Sequence, residues 1–580
     1  MAGDCGSVET SLGRRIPIRK PAGARTRKNE RVRQNMQRRS NNGLFDESGR
    51  MAHSAGLMKR IGIFLTMLLC GFTVAAQDTK APAANTNAPG SPDLVYSQLT
   101  NSLAMEDATP MVERQISLQE CIDLAMKYNI ELQIDRYGPE IARYNLKSAY
   151  GAYDPVAFMS GQHNHSESGP TFLGTNIIGG TLSDADSFST SLTGLAPWGT
   201  SYRFFGTTAD TIQNNGTIRR NASAQAGVSV TQPLLRNFWI DSSRLTIRVD
   251  KNRVKYDEFQ LKQQLMQTLT SLEQAYYDLI YAREYVKVQE KAAESTDRLV
   301  TENRKKLEVG AMAELELASA EAQAAQNRAA IISARSQLGT QERVLKLYIT
   351  DQIAKWADVK IVPTGTLEAP KRTFDRQTSW RKALADRPDY QQAKLNAEQA
   401  GIQLKYSYNQ LFPELDVLGS FGYNGSGTVY SGALYDIQQQ NLPTYSFGGQ
   451  ISMPLANQGP RNNYKAQKVS MQQYVLSVKQ KERDILIAVD NDIGNLMADY
   501  NSVQATHAQR LYEEQALDAE QKKLNNGKST TYQVLLVQRD LTSARGSEIQ
   551  ALDRYNRDLT QLSFDEGSTL DRLNIDFIVK

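Results

Sequence analysis

The residues best suited by type to do chemistry are two histidines one residue apart, His163 and His165. Side chains two positions apart in a strand share a face, so both imidazoles could reach one metal ion. A zinc site normally has at least three protein ligands, and the nearby sequence offers no third one. Of the two interpretations, a metal pair or two unconnected histidines, we expect the second and no bound metal.

No motif of common enzyme chemistry occurs in the chain. It has no Walker loop, no G-x-G-x-x-G, no G-x-S-x-G and no C-x-x-C. Acidic residues are spread along the predicted helices beside Lys and Arg, which is the pattern of a solvated face. We therefore predict that the protein is not an enzyme and has no catalytic residue and no cofactor.

The cysteines indicate export without disulfides. Cys5 and Cys70 fall in a segment that we expect to be removed, which leaves Cys121 alone and unable to form an intrachain bridge. Cys70 also admits a lipoprotein interpretation, but the bulky Leu69 before it favours an ordinary leader cysteine. Cys121 lies on the apolar face of a predicted helix, where we expect a small buried hydrophobic group.

A signal peptide is predicted at residues 58–76. The basic pair Lys59-Arg60 precedes an uncharged run that ends in the small-residue site Val74-Ala75-Ala76. We interpret residues 1–57 as an overcall of the start site, and the alternative is a basic arm that binds nucleic acid. The formal net charge is +4, and removal of this basic leader leaves the chain mildly acidic.

Several stretches alternate apolar and polar residues at period two. In the clearest, Tyr445, Phe447, Ile451 and Met453 face one way, and Gln450 and Ser452 face the other. Residues 222–231, 415–423 and 156–161 alternate as well, and residues 187–208 suggest an additional hairpin. Stretches of about ten such residues suit the wall of a membrane barrel with a polar lumen. The alternative is a soluble sheet with one wet face.

Two very long helices follow these strands. Apolar residues spaced by four and three indicate a coiled-coil seam in each. The seams are Leu265, Leu269, Leu272, Tyr276 and Leu279 in the first, and Ile485, Val489, Ile493, Leu496, Tyr500, Val503 and His507 in the second. Gly310 and Gly527 interrupt the two patterns, and a second helix follows each glycine. We therefore predict two helical hairpins with glycine-marked tips.

The whole pattern occurs twice. Val230 to Leu234 and Ile451 to Leu455 are 221 positions apart, as are Asp278 and Asp499. We predict two internal repeats, because self-similarity at a fixed spacing indicates a duplicated architecture. The predicted organisation is a flexible mature N-terminus at 77–115, repeat 1 at 116–349 with strands at about 153–232 and a tip near 310, an insert at 350–380, repeat 2 at 381–562 with strands at about 413–455 and a tip near 527, and a tail at 563–580.

From Ile116 to about Leu562 the chain resembles the outer membrane efflux protein family, the TolC-like channels. The resemblance rests on the order of several motifs rather than on any one. They are Ile116-Ser117-Leu118-Gln119-Glu120-Cys121-Ile122-Asp123-Leu124-Ala125 with Asn129, the repeated Leu-x-x-Gly tips, Arg387-Pro388, and the Pro-Leu pairs that end the strands. Ile130 replaces the proline that usually follows this Asn.

The resemblance implies a fold of mixed helical and membrane β structure. Each protomer of a homotrimer would give four strands to a twelve-stranded outer-membrane β-barrel, which a long periplasmic α-helical coiled-coil barrel continues. The partners implied are outer-membrane lipid, a periplasmic adaptor (membrane fusion) protein and an inner-membrane transporter, with no nucleic acid. The adaptor contacts would be at the tips, namely Leu307, Gly310, Leu524, Gly527 and Lys528.

The resemblance also directs attention to the periplasmic end of the tunnel. Some members close it with two aspartate rings, six and nine residues after the second tip glycine. Gln533 and Leu536 occupy those positions here. The candidate gate is therefore an apolar constriction at Leu536 beside a polar ring at Gln533, and the nearby acids Glu314, Glu316 and Asp540 are the alternative.

The expected function is that of a passive outer membrane channel with a periplasmic extension. It would be the exit duct of a tripartite efflux pump or a type I secretion system, opened by the adaptor and an energised inner-membrane transporter. The alternative is a periplasmic coiled-coil envelope scaffold without transport, which would explain the heptads but not the alternating strands.

Overall fold

Two long helical hairpins and one antiparallel sheet make up most of the fold. The structure is a computed structural model that describes residues 112–174, 176–178, 180–214 and 217–577, all within the unit Ser97–Lys580. The predictions for residues 1–57, for the signal peptide and for Cys70 lie outside the described residues.

The helices are α1 (Leu118–Tyr128), α2 (Ile130–Tyr150), α3 (Ser242–Glu308), α4 (Glu314–Ile349), α5 (Arg376–Asp386), α6 (Pro388–Asn409), α7 (Tyr430–Gln438), α8 (Gln458–Asn525), α9 (Thr531–Asp565) and α10 (Thr569–Arg572). The strands are β1 (Val112–Ile116), β2 (Val156–Ser168), β3 (Thr171–Leu173), β4 (Asn176–Ile178), β5 (Thr181–Leu195), β6 (Ser201–Asn214), β7 (Ile218–Pro233), β8 (Val359–Pro363), β9 (Glu414–Gly427) and β10 (Leu442–Ser452).

One order of elements occurs twice along the described chain. A short helix pair, then strands, then a long helix pair appear as α1–α2, β2 to β7 and α3–α4. They appear again as α5–α6, β9–β10 and α8–α9. Within each run the second short helix packs on the first long helix, and the two long helices pack on each other.

The main sheet has six strands in the order β10-β9-β7-β6-β5-β2. All neighbouring strands are antiparallel, and consecutive strands of the chain lie side by side. The prediction of four strands per protomer, on which the twelve-stranded barrel depended, is therefore wrong for this chain. The difference is the β5–β6 hairpin, which the alternation at 187–208 suggested and which lies inside the sheet between β2 and β7.

The seams of the long helices are buried as the 4-3 spacing predicts. Leu269, Leu272 and Leu279 are fully buried in α3, and Ile485 and Val489 are buried in α8. α3 has 67 residues and α8 has 68, so each is about 100 Å long at 1.5 Å per residue. The second seam ends earlier than predicted, because His507 is exposed and its Nδ1 lies 2.6 Å from Oε1 of Glu548.

Each short helix pair is fixed to the end of its own hairpin. Oδ1 of Asn129 caps α2 by accepting from the backbone N–H of Leu132 at 3.0 Å, and its Nδ2 donates to the carbonyl of Tyr348 at the end of α4. Arg387, at the corresponding turn before α6, donates to the carbonyl and the carboxylate of Asp565 at the end of α9. The two repeats thus attach the short helices to the hairpin end at equivalent positions, the first with an amide side chain and the second with an arginine–carboxylate pair.

The start of α1 is capped by Ser117 but does not have a complete capping box. Oγ of Ser117 accepts from the backbone N–H of Glu120 at 3.2 Å. The Glu120 carboxylate does not complete a capping box, because it pairs with Arg114 at 2.6 Å. Cys121 is buried as predicted, and burial raises the pKa of its thiol to about 12.

The flexible mature N-terminus predicted at 77–115 is wrong at its end. Residues 112–116 form β1, which pairs in parallel with β8 from the predicted insert. The hydroxyl of Tyr276 donates to the carbonyl of Ile116 at 3.2 Å and accepts from the backbone N–H of Gly365 at 3.1 Å. Residues 112–116 have no apolar/polar periodicity of their own, and they form a strand because they pair with the distant strand β8.

Candidate functional site

One face of the six-stranded sheet is apolar and exposed. Cross-strand pairing places Tyr445 beside Phe421, Phe421 beside Val228, and Val228 beside Phe204. The large exposed side chains of this face include Met159, Phe188, Leu192, Phe204, Val417, Phe421, Tyr445, Phe447 and Ile451. Phe447 is 87% exposed and Ile451 is 70% exposed. A band this large and apolar requires a nonpolar covering.

The opposite face is polar and consists mostly of small hydroxyl and amide side chains. Gln450 and Ser452 lie on it, since they alternate with Ile451. Two serine pairs cross neighbouring strands with 2.7 Å between their Oγ atoms, Ser160 with Ser189 and Ser420 with Ser446. Strands with one apolar face and one polar face are what a barrel wall between lipid and water needs.

The strands are long enough for that role. They have 11 to 16 residues, whereas about 9–11 tilted residues cross a bilayer. None of the described helices combines the length and the apolar character needed to cross a membrane.

A polar junction joins the sheet to α3. Arg244 donates to the carbonyl of Phe238 at 2.9 Å, to the carbonyl of Asn237 at 2.6 Å and to Oδ2 of Asp241 at 2.8 Å. Asn409, at the end of α6, accepts from the backbone N–H of Asn237 at 2.7 Å. Asn237 has a φ of 64°, a left-handed conformation that Asn tolerates better than most residues. Sequence analysis missed this junction because its partners are 172 positions apart.

The two hairpin tips share one geometry. Gly310 has a φ of 74° and Gly527 a φ of 72°. The N–H of Ala311 donates to the carbonyl of Lys306, and the N–H of Lys528 donates to that of Lys523. This is the Schellman arrangement, in which glycine closes the helix end. Of the other candidate contacts, Lys528 is exposed and Leu307 and Leu524 are half-buried.

The candidate gate residues lie in the first turns of α9. Gln533 is exposed and Leu536 is half-buried. Val534 and Leu535 between them are buried against Leu299 and Ala320. The seam inside the chain is therefore filled by Val534 and Leu535, and Leu536 lies at its margin.

Two of the three candidate acids near the tips have partners within the chain. Asp540 pairs with its neighbour Arg539 at 3.2 Å, and Oε2 of Glu316 accepts from the hydroxyl of Thr531 at 3.1 Å. Thr531 in turn accepts from Nδ2 of Asn303 at 3.3 Å, and both residues are fully buried. These two hydrogen bonds connect α3, α4 and α9. The sequence indicates them only by placing the polar residues Asn303 and Thr531 at positions where the spacing predicts apolar ones.

A group of carboxyl groups is buried between α8 and α9 farther from the tips. Burial raises the pKa of Asp553 to about 7. Burial and the neighbouring carboxyl of Asp558 raise the pKa of Asp499 to about 6. Burial and Asp565 raise the pKa of Asp492 to about 8. This group could not be predicted from the sequence, because each acid comes from a different turn of a helix.

The histidines of the sheet face carboxylates instead of a shared metal. Nδ1 of His163 lies 2.7 Å from Oδ1 of Asp186, and His165 pairs in the same way with Asp184. Across the part of the chain that the structure describes, no group of three or more His, Cys, Asp or Glu side chains could hold a metal ion.

The fold is similar to that of solved outer membrane channels. CmeC of Campylobacter jejuni is 16% identical with a TM-score of 0.57, and the match covers 79% of this chain and 90% of CmeC. VceC of Vibrio cholerae is 15% identical with a TM-score of 0.56, covering 78% and 96%. MtrE of Neisseria gonorrhoeae, solved in an open state, is 16% identical with a TM-score of 0.54, covering 78% and 89%. No curated protein matches the sequence.

Residues 380–564 match the family model described as outer membrane efflux protein. This segment, about a third of the chain, is similar to outer membrane efflux proteins. The resemblance predicted from Ile116 to about Leu562 is thereby confirmed for residues 380–564. The matched segment starts within α5 and ends within α9.

Proposed function

We propose that this protein is the exit duct of a tripartite efflux pump or a type I secretion system, acting as a homotrimeric passive channel. The observation that carries this proposal is the continuity of one chain from an amphipathic sheet, through the Arg244 junction, into helices about 100 Å long. The sheet would lie in the outer membrane, with its apolar face toward lipid. The helices would line a tunnel through the periplasm.

Assembly into a trimer is supported by the open edges of the sheet. β2 and β10 each lack a second neighbouring strand in the described chain. Unpaired edges cannot stay in hydrocarbon, because each free N–H and C=O costs several kcal/mol there. Copies of the chain that close one barrel would satisfy both edges. The duplicated order of elements supports our proposal of two internal repeats with the boundaries predicted from sequence.

We place the partner contacts at the hairpin tips. Gly310, Gly527 and Lys528 are exposed at the end of the helices farthest from the sheet. A periplasmic adaptor protein would bind there and connect the tunnel to an energised inner-membrane transporter. Leu536 would form the gate with Gln533 beside it, because the seam inside the chain does not bury Leu536 fully.

Membrane fractionation and conductance test this proposal. The protein should fractionate with the outer membrane, migrate as a heat-dissociable trimer and form channels in planar bilayers. A monomer in the soluble periplasmic fraction would instead support an envelope scaffold. The exposed apolar face of the sheet weighs against the scaffold, since that face would then contact water.

A further inference from the structure

We propose that three copies of this chain close an eighteen-stranded barrel, with the β5–β6 hairpin forming part of the wall. The inference rests on the proposed trimer. Each copy contributes six strands, since β5 pairs with β2 along Thr181–Thr193 and β6 pairs with β7 along Ser201–Asn214. Without the hairpin, β2 and β7 would be neighbours and the trimer would have twelve strands.

Along Phe188–Leu195 and Ser201–Thr208 the hairpin has the side-chain pattern of the rest of the wall, and beyond Phe188 the same face carries Asp186 and Asp184. On its apolar face Leu192 pairs with Phe204, and Phe204 pairs with Val228 of β7. On its polar face β5 places Ser183, Ser187, Ser189, Ser191 and Thr193. The two faces are continuous with those of β7 and β9, whereas a hairpin folded into the lumen or above the membrane would not need this match.

Strand directions allow the closure. Neighbouring strands are antiparallel throughout the sheet, so the two edge strands, β2 and β10, run in opposite directions. β10 of one copy can therefore pair antiparallel with β2 of the next, and three such joints close the ring. Eighteen is an even number within the range of known outer membrane barrels.

The added strands widen the barrel. With strands about 4.8 Å apart and tilted by about 40°, twelve strands give a backbone diameter of roughly 24 Å and eighteen give roughly 36 Å. The cross-section between the backbones therefore grows about twofold. Barrels of this strand number hold open aqueous channels.

The added wall is almost neutral on its polar face. Arg203 is the only charged side chain that β5 and β6 place there, and the others are mainly Ser, Thr and Gln. Such a wall hydrogen-bonds to water and to hydrated cargo without selecting for charge. We infer a wide exit for bulky hydrated solutes, with any selection made at the periplasmic end.

Disulfide trapping tests the position of the hairpin. Ser160→Cys with Ser189→Cys joins β2 to β5, and Ser420→Cys with Ser446→Cys joins β9 to β10 as a control. The native Oγ atoms are 2.7 Å apart in both pairs, so both should link with a short thiol-specific cross-linker in trimers extracted from the membrane. Cys121 is buried and gives little background.

Linking of the control pair alone would place the hairpin outside the wall and overturn the inference. Failure of both pairs in a protein that still runs as a trimer would also overturn it, because the six-stranded sheet would then not form. Absence of any trimer would instead refute the proposed function. Counting strands in an electron cryomicroscopy map of the trimer in nanodiscs gives a second readout, with eighteen expected and twelve contradicting us.

Discussion

Nη1 of Arg557 donates a 2.8 Å hydrogen bond to Oδ1 of Asp278, which ties α9 of the second hairpin to α3 of the first. Asp499 lies 221 positions after Asp278, and its carboxyl group faces that of Asp558, with Arg554 acting on it only through its charge. The two aspartates match in sequence, yet one is in an ion pair and the other is in a carboxyl pair. The ion pair of Asp278 and Arg557 also acts on the neighbouring Asp553. The charge of Asp278 raises the pKa of Asp553, and the charge of Arg557 lowers it.

Arg557→Gln should destabilise the helical region more at high pH than at low pH. Burial raises the pKa of both Asp278 and Asp553 and the arginine counteracts this rise, so its loss leaves two largely buried carboxylates without that compensating charge. We expect a cost of about 1 kcal/mol at pH 8, because the arginine is partly exposed and water screens the pair. The cost should shrink at pH 5, where the carboxyls can bind protons. The measurement is the thermal midpoint of the trimer in detergent.

Arg539→Gln is the matched control, since Arg539 is on the same helix and pairs only at the surface with Asp540. It should leave the midpoint unchanged at both pH values. An equal loss in the two variants would show that the Asp278 pair has no special role.

The wild-type protein should become more stable as the pH falls from 8 to about 5. The pKa values of Asp492, Asp553 and Asp499 are about 8, 7 and 6 in the fold, above the usual value near 4 in an unfolded chain. The folded state therefore holds protons that the unfolded state releases, and the stability that they contribute is lost as the pH rises through 6 to 8.

The trend should reverse in strong acid. Arg387 and Lys481 counteract burial and lower the pKa of Asp389 to about 2, so its contribution is present above pH 4 and is lost as the pH falls toward 2. Asp553→Asn should flatten the change between about pH 5 and pH 7, because the pKa of Asp553 is about 7 in the fold and near 4 in an unfolded chain. A thermal midpoint that rises from pH 5 to pH 8 in the wild type would contradict this prediction.

A charge on the apolar face of β10 should be costly, and the same charge one residue later should not. Ile451→Lys places an ammonium in lipid and should cost about 2–4 kcal/mol near the membrane midplane. Ser452→Lys points the same group into the lumen. Urea unfolding in detergent-free vesicles, together with the yield of assembled trimer, measures both variants. Equal tolerance at the two positions would mean that this stretch is not a barrel wall.

Leu536→Ser should raise channel leak with little loss of stability. If three Leu536 side chains meet at the periplasmic end, their replacement lets water bridge the opening. Leu535→Ser is the control, because Leu535 is buried in the seam with Leu299. That control should cost about 2–4 kcal/mol of stability, as large-to-small changes in a core do. Single-channel conductance and thermal unfolding are measured for both variants.

A loss of stability without extra leak in Leu536→Ser would place Leu536 in a structural seam. Trivalent cations added from the periplasmic side should block the wild type only weakly, because Gln533 and Leu536 carry no charge. Strong block would point to Glu314, Glu316 or Asp540 as the gate.

Gly310→Ala and Gly527→Ala should each cost about 1 kcal/mol locally, because an L side chain disfavours positive φ. An added methyl group meets no atom within 4 Å at either tip, so no clash contributes. Gly494→Ala is the control, since Gly494 lies inside α8 with the same free space and should gain stability from helix propensity. Hydrogen exchange at the tips and adaptor pull-down report the effect. Slower exchange at the tips in the alanine variants would contradict it.

The sequence predicted the long helices well because their stability is local. The 4-3 spacing of Leu265, Leu269 and Leu272 records packing between two helices joined by one short turn. The strands at 187–208 contain many Ser and Thr residues, so the alternation of apolar and polar side chains is weak there. Which strands lie beside them depends on pairing with residues distant in the sequence. The number of strands in the sheet could therefore not be read from the chain, and neither could the Asn303–Thr531 contact, which spans 228 positions.

The near-equal lengths of α3 and α8 fix the distance between the sheet and the two hairpin tips. β7 ends at Pro233 opposite Asp416 and β10 ends at Ser452 opposite Glu414, so both helices start from almost the same level. With 67 and 68 residues, they differ by about 1.5 Å in length. We therefore expect the two tips to lie at similar distances from the sheet, and six tips in the proposed trimer would form one platform. The residue count of the helices would set the distance of this platform from the membrane. Removal of seven residues from each arm of one hairpin would therefore move alternate tips about 10 Å toward the membrane and leave a partner three tips to contact instead of six.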